Sequence, residues 1–221
     1  MYDIVFISYN ESQADDNWKI LKDKFPHAKR VHGIKGIHQA HIEAAKNAFT
    51  SMVWIVDADA HVVDTFDFSY VPNRIDRDAV HVWRAKNPVN DLVYGNGGVK
   101  LFPRLATINM DTTTTDMSTS ISNNFVLMEE VSNIAAFNVD EFSTWRSAFR
   151  ECAKLASKTI KGQIDNETEE RLRIWTTVGR DRPYGEYCIK GASAGTNFGL
   201  SNSSNLHWIN DFDWLREQFN E

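Results

Sequence analysis

An α/β fold wound around a sheet is what this sequence predicts, and three observations predict it. Strand-like and helix-like segments alternate through the first sixty residues. The strand-like runs are nearly continuous in apolar character, as strands buried on both faces should be. The third of them, VWIVDAD at 53–59, runs straight into two aspartates, Asp57 and Asp59.

Tyr2–Tyr9 (YDIVFISY) reads as the first buried strand, broken by Asn10-Glu11-Ser12. Ser12 to Lys24 has helical spacing through Trp18, Leu21 and Phe25, and Pro26 stops it. Ala28–Ile34 is a second short strand ending in a Lys35-Gly36 turn. Ile37 to Thr50 then reads as a helix that turns Ile37, Ala40, Ala44, Ala45 and Ala48 inward. Met52–Val56 is the third strand. Three strands joined by two helices in this space are the pattern of a wound parallel sheet.

Beyond Asp59 the pattern loosens. Ala79–Ala85 and Gly98–Phe102 read as further strands, with Asn96-Gly97-Gly98 as a turn before the second. Residues 111–124 (DTTTTDMSTSISNN) are polar and low in complexity, the composition of a surface loop. Asn138 to Lys158 is the clearest helix, with Asn138 as its cap, Glu141 three residues on, and an apolar stripe of Phe142, Trp145, Phe149, Cys152 and Ala156. Residues 191–205 (GASAGTNFGLSNSSN), rich in Gly, Ser and Asn, read as a second loop.

The totals fit one globular domain of 221 residues. Two cysteines, Cys152 and Cys188, without CxxC spacing, point away from a disulfide framework or a zinc site and toward a reducing compartment. The N-terminus lacks the features of a secretory signal, and no apolar run is long enough to span a bilayer, so a cytoplasmic protein is expected. A net charge of −6 argues against a protein dedicated to coating nucleic acid. Two local runs are nonetheless basic: Lys19–Lys46, with seven Lys or Arg, and Arg146–Lys161, with five.

Side chains alternate along a strand, so Asp57 and Asp59 would face the same side if the strand continued through them. They fall at its C-terminal end, where open α/β sheets bind ligands. Two hard carboxylates placed together repel unless a cation lies between them. Mg2+ or Mn2+, which favour oxygen ligands and keep coordination sites for water and phosphate, suit such a pair.

Taken together, IVFISYNE at 4–11, the Lys35-Gly36 turn and WIVDAD at 54–59 resemble the GT-A glycosyltransferases, enzymes that use nucleotide-sugar donors. The resemblance covers roughly residues 2–105. It implies a Rossmann-like wound mixed sheet with a C-terminal helical and loop elaboration, in one domain spanning 1–221 with a donor half (1–105) and an acceptor half (106–221). It further implies that Ser8, Tyr9, Asn10 and Glu11 lie beside the nucleotide base and ribose. Asp57 would meet the ribose or the metal shell, Asp59 would bind Mn2+ or Mg2+ directly, and Asn96, Gly97 and Gly98 would lie beside the donor sugar. Glycine suits that place because a backbone without Cβ admits a sugar closely. Many metal-dependent members add a C-terminal histidine to the metal, and His207 matches that position.

Other residues are read from their own chemistry. Lys35 is placed to approach donor phosphates. Arg146, Arg150 and Lys154 recur every four residues on one helix face, where they could neutralise phosphate or pair with Glu141 and Glu151. An inverting transferase needs a base for the acceptor hydroxyl. Asp140, at a helix N-terminus that favours the anion, is the candidate, with Glu129 and Glu130 as competitors. His38 and His41 lack a third ligand at zinc spacing. Neither GxxxxGK[ST] nor GxGxxG occurs, which removes the usual signatures of P-loop and dinucleotide-binding folds.

The expected activity is therefore metal-dependent sugar transfer from a nucleotide donor, a UDP-sugar by expectation. Size and the two basic runs are similar to glycosyltransferases encoded by bacteriophages, some of which modify hydroxymethylated DNA bases, so DNA is one expected acceptor. Glycan or protein acceptors, a nucleotidyltransferase and an inactive nucleotide-binding module are the alternatives.

Overall fold

The computed structural model describes residues 1–114, 117–159 and 163–221. The chain divides into two compact units. The first comprises Met1–Lys86 and Val93–Ala136, and the second Asn87–Leu92 and Phe137–Glu221. Residues 106–136 thus belong with the sheet.

The sheet unit is the wound, mixed α/β arrangement that the sequence predicts. Strands β1 (Asp3–Ser8), β2 (Lys29–His32) and β3 (Met52–Asp57) are parallel and enclose helices α1 (Ala14–Lys24) and α2 (Ile37–Lys46) in the chain order. Four more strands follow: β4 (Ala60–Val62), β5 (Val80–Lys86), β6 (Val93–Pro103) and β7 (Phe125–Ala135). The seven lie in the order β2-β1-β3-β6-β5-β7-β4. β6 runs antiparallel to β3 and β5, β7 runs parallel to β5, and β4 runs antiparallel to β7.

Alternation along the strands sorts the core into two layers. Ile4, Phe6, Trp54, Val56 and Leu101 face Leu21 of α1 and Phe25 just after it, and bury Phe66, Phe68 and Trp83 with them. Val5, Val53, Ile55 and Phe102 face Ala44 and Ala45 of α2 and Ala48 just beyond it, whereas Ile37, expected to face inward, is 47% exposed at the first turn of α2. The tryptophans of the sheet are therefore packing groups: the Trp54 and Trp83 ring centroids lie 4.5 Å apart and both side chains are fully buried.

Several local expectations are overturned. Asn96-Gly97-Gly98 is no turn between strands but lies inside β6. Val82 pairs with Lys100 while Arg84 pairs with Gly95, so residues 96–99 form a bulge opposite Trp83. Gly97 supplies the positive φ, +75°, that the bulge requires. The 111–124 loop contains a short helix, α4 (Met117–Ile121), following α3 (Arg104–Ile108). Met117 and Ile121 are buried against the α2 layer, and this burial orders the polar segment around them. Residues 115 and 116 of that loop lie outside the described residues.

The second unit is helical: α5 (Glu141–Ala156), α6 (Asp165–Thr177), α7 (Gly185–Ser201) and α8 (Phe212–Asn220), with the Asn87–Leu92 hairpin tip. The long predicted helix is present but begins later than Asn138. Asp140 caps it, its carboxylate accepting a hydrogen bond from Ser143 N at 2.7 Å.

The 191–205 segment is no loop; α7 continues through it to Ser201. Gly191, Gly195 and Gly199 recur every four residues and so form one stripe. A Cβ at these positions would lie 2.2–2.3 Å from the carbonyl oxygens of Trp145, Phe149 and Ala153 on α5. The glycines are spent on helix-to-helix contact, and that packing offsets their poor helix propensity. Cys152 and Cys188 are both buried free thiols in this unit. No helix among the described residues is long and apolar enough to cross a membrane.

Candidate metal and donor centre

The parallel pairing of β1 with β3 sets Ile7 beside Asp57, and the antiparallel pairing of β6 sets Val99 beside Val56. One residue further on, three chain segments reach the same edge: Tyr9–Glu11 after β1, Asp57–Asp59 after β3, and the Asn96–Gly98 bulge of β6. The parallel β2 ends there as well, since Ser8 pairs with His32. Lys35 is exposed just before α2, three residues beyond that strand. This is the C-terminal edge of the parallel strands, the side on which wound sheets bind ligands.

β3 does not continue through the aspartates. It ends at Asp57, and Ala58 and Asp59 form the turn into β4. The next strand lies at the far edge of the curled sheet, so the chain must change direction sharply at this point. Three hydrogen bonds fix the change. The buried Asn17 side chain on α1 donates through Nδ2 to the Ala58 carbonyl at 2.8 Å. Ala136 N donates to the Asp59 carbonyl at 2.7 Å. Gln13 Nε2 donates to the Ala136 carbonyl at 2.6 Å. Neither Asn17 nor Gln13 is marked by any motif in the sequence.

Electrostatically the edge is dominated by Asp57. Burial pushes its carboxyl up from the usual 3.8 to about 6, and Asp59 and Glu11 push in the same direction while Lys100 pulls it down. About a third of the side chain, 32%, stays accessible, so the desolvated carboxylate still has a path to a ligand. Glu11 is held by its own loop, Oε2 accepting from Tyr9 N at 2.7 Å. Ser8 is drawn away toward β2: its Oγ accepts from Arg30 Nε at 2.9 Å and lies 3.0 Å from His32 Nδ1.

Lys100 is the residue that the sequence reading missed. It sits on β6 with only 4% of its side chain exposed, and its ammonium donates to Asp57 Oδ1 at 2.6 Å. It also donates to the Gly97 carbonyl at 2.6 Å. The available signal was a lysine between Val99 and Leu101 in an otherwise apolar strand, a position that a charge occupies only when paired.

The donor set fits a divalent cation of the Mg2+ or Mn2+ kind. Asp57 and Asp59 are hard oxygen ligands, Glu11 adds negative potential, and Asp57 gains most from a cation because its ionised form is the one burial disfavours. Among the described residues no group of three or more His, Cys, Asp and Glu is placed to hold a metal ion. Two carboxylates suit a metal that completes its shell with water and substrate phosphate rather than one caged by protein.

The remaining candidates are on β7 and in the helical unit. Glu129 and Glu130 are exposed on β7, and Glu129 pairs with Arg84 at 2.8 Å. Asp140, Arg146, Arg150 and His207 are all in the helical unit. Partial burial raises the Asp140 carboxyl, but the Ser143 hydrogen bonds and nearby Arg146 and Arg216 outweigh it and hold the group below the usual carboxylate range. A carboxylate stabilised in this way is a weaker base.

The Arg146 guanidinium stacks on Phe212 at 4.3 Å. Arg150 clamps the 206–210 turn, Nε donating to the Ile209 carbonyl at 2.7 Å and Nη2 to Asn210 Oδ1 at 2.9 Å. Glu151 is paired with Arg171 at 2.8 Å, on another helix. His207 is exposed, its ring 4.8 Å from that of Trp208. Lys161, the last residue of the second basic run, lies outside the described residues.

The sequence matches no protein-family model and no curated protein. Among solved structures, the chain is similar at a distance to the mannosyltransferase PcManGT from Pyrobaculum calidifontis in complex with GDP-Man and Mn2+. The TM-score is 0.43 and the identity 14%, over 88% of this chain and 74% of that one.

Proposed function

We propose that the protein is a divalent-metal-dependent glycosyltransferase of the GT-A type, moving a sugar from a nucleotide-sugar donor to an acceptor hydroxyl. The observation that carries this reading is the convergence of Asp57, Asp59 and Glu11 with the glycine bulge of β6 at the C-terminal edge of the parallel strands.

In this reading Asp57 and Asp59 hold the metal, which when bound neutralises charge on the leaving diphosphate. The Tyr9–Glu11 loop, with Tyr9 41% exposed, receives the base and ribose. Lys35 approaches the phosphates, and Asn96–Gly98 lines the sugar. The Gly97 backbone supports that last role because a Cβ at this position would meet nothing within 4 Å, so the space in front of it is open.

The test is a panel of UDP-, GDP-, CDP- and dTDP-sugars assayed for Mn2+-dependent donor hydrolysis and for binding by calorimetry. Hydrolysis of one donor, lost in EDTA and restored by Mn2+, is expected. Binding without hydrolysis or transfer would identify a nucleotide-sugar-binding module instead. Absence of metal-dependent binding across the panel would overturn the proposal.

A further inference from the structure

We propose that Lys100 is a positioning residue that competes with the divalent cation for Asp57, so that metal binding and the placement of the Gly97 bulge are coupled. The inference rests on the metal-dependent reading above and extends it to a residue outside the Asp-x-Asp pair.

The geometry is specific. A buried ammonium is costly to desolvate and persists only where good partners hold it. Lys100 has two, Asp57 Oδ1 and the Gly97 carbonyl, each at 2.6 Å. One belongs to the metal-holding segment and the other to the segment facing the sugar. The only hydrogen bond to the Asp57 carboxylate among the described residues goes to Oδ1, which leaves Oδ2 as the atom for a cation.

The other titratable groups facing Lys100 do not take over its role. His41 on α2 is buried, and burial together with the Lys100 charge holds its ring neutral, well below the usual histidine range. Its Nδ1 lies 2.7 Å from the Ile37 carbonyl, and Nε2 has no hydrogen-bond partner. Asp59 and Glu11 act on the pair through Asp57.

Two cations on one carboxylate repel each other. Asp57 would therefore hold Lys100 less tightly with a metal bound, and Lys100 would in turn lower the metal affinity of Asp57. Because the same ammonium holds the Gly97 carbonyl, loosening it releases a bulge whose shape depends on that carbonyl and on the positive φ of Gly97. The site then binds the bare metal poorly and binds it well once donor phosphates add their own negative charge. That order suits a centre in which metal and donor enter together.

The experiment compares wild type with Lys100→Met and Lys100→Arg, without nucleotide, by following free Mn2+ with electron paramagnetic resonance. Lys100→Met should bind Mn2+ roughly tenfold more tightly, because a like charge has been removed from a desolvated site. Lys100→Arg should stay within about twofold of wild type, since it keeps the charge. A merely structural lysine predicts unchanged or weaker Mn2+ binding in a folded Lys100→Met protein, and that result overturns the proposal.

Should Lys100→Met fail to fold, wild-type protein labelled at lysine and glycine is titrated with diamagnetic Mg2+. The Lys100 Cε and Gly97 amide resonances should then move together with one midpoint, and a stationary Lys100 signal would sink the idea. If wild type binds no Mn2+ with or without nucleotide, the metal-dependent reading itself fails and this inference falls with it. Mn2+ binding that ignores residue 100 removes the inference alone.

Discussion

Asn17 Nδ2 donates a hydrogen bond of 2.8 Å to the carbonyl of Ala58, the residue between the two aspartates. A buried amide on the first helix thereby sets the direction in which Asp57 and Asp59 leave the third strand. Asn17 Oδ1 in turn lies 3.4 Å from His61 Nδ1 on β4, which ties the amide to both sides of the turn.

Asn17→Ala removes the donor and leaves the Ala58 carbonyl unsatisfied. The expected loss of stability is about 1–3 kcal/mol, read from urea unfolding. Mn2+-dependent donor turnover should fall further than that loss explains, because at moderate temperature the protein remains folded while the aspartates lose their orientation. Unaltered turnover in a folded variant would show that the turn holds its shape without this bond.

Asp59→Ala should abolish metal-dependent turnover while leaving the protein folded by circular dichroism, because the partly exposed Asp59 lies in a turn held through backbone carbonyls. Full activity in this variant would remove the metal assignment.

Metal binding should depend on pH in a defined window. Asp57 titrates at about 6 in the folded protein against 3.8 ordinarily, and a cation must displace that proton when it is present. Mn2+ affinity should therefore be flat above about pH 7 and fall by up to tenfold per unit below about pH 6. The stability linkage has the opposite sense to that of a salt-bridged carboxylate. The raised value means that the folded state holds the proton more tightly, so the contribution is present at low pH and is lost as pH rises through about 6. Asp57→Asn should flatten the affinity profile; an unchanged profile would assign the titration to another group.

Gly195→Val should destabilise the helical unit. A Cβ there would lie 2.2 Å from the Phe149 carbonyl oxygen, so α5 and α7 must separate. The cost should be at least about 1–3 kcal/mol, measured by denaturant unfolding. Leu200→Ala, on the same helix at a 67% exposed position, should change little and serves as the control.

How much was legible in the chain depends on the range over which each feature is decided. The three wound strands, the two helices between them and the aspartates closing the third strand could be read directly. Apolar runs, helical spacing and a proline stop are local properties, and a parallel β1–β3 pair carries 9–11 and 57–59 to the same edge once the windings are right. The rest depended on partners distant in sequence. A glycine announces only the absence of a Cβ; at Gly97 that freedom serves a bulge within a strand, and at Gly195 a helix packed against the Phe149 backbone. Both were misread because the atoms opposite them, and not their neighbours in the chain, decide which use applies.

Lys100 shows the same division. Its charge in an apolar strand was visible, but only the antiparallel pairing of β6 with β3 sets its ammonium 2.6 Å from a carboxylate 43 positions earlier. The sequence by itself determined that two carboxylates would end a central strand. Only the tertiary structure decided which cation already sits beside them, because an ion pair between strands exists only after the sheet has formed.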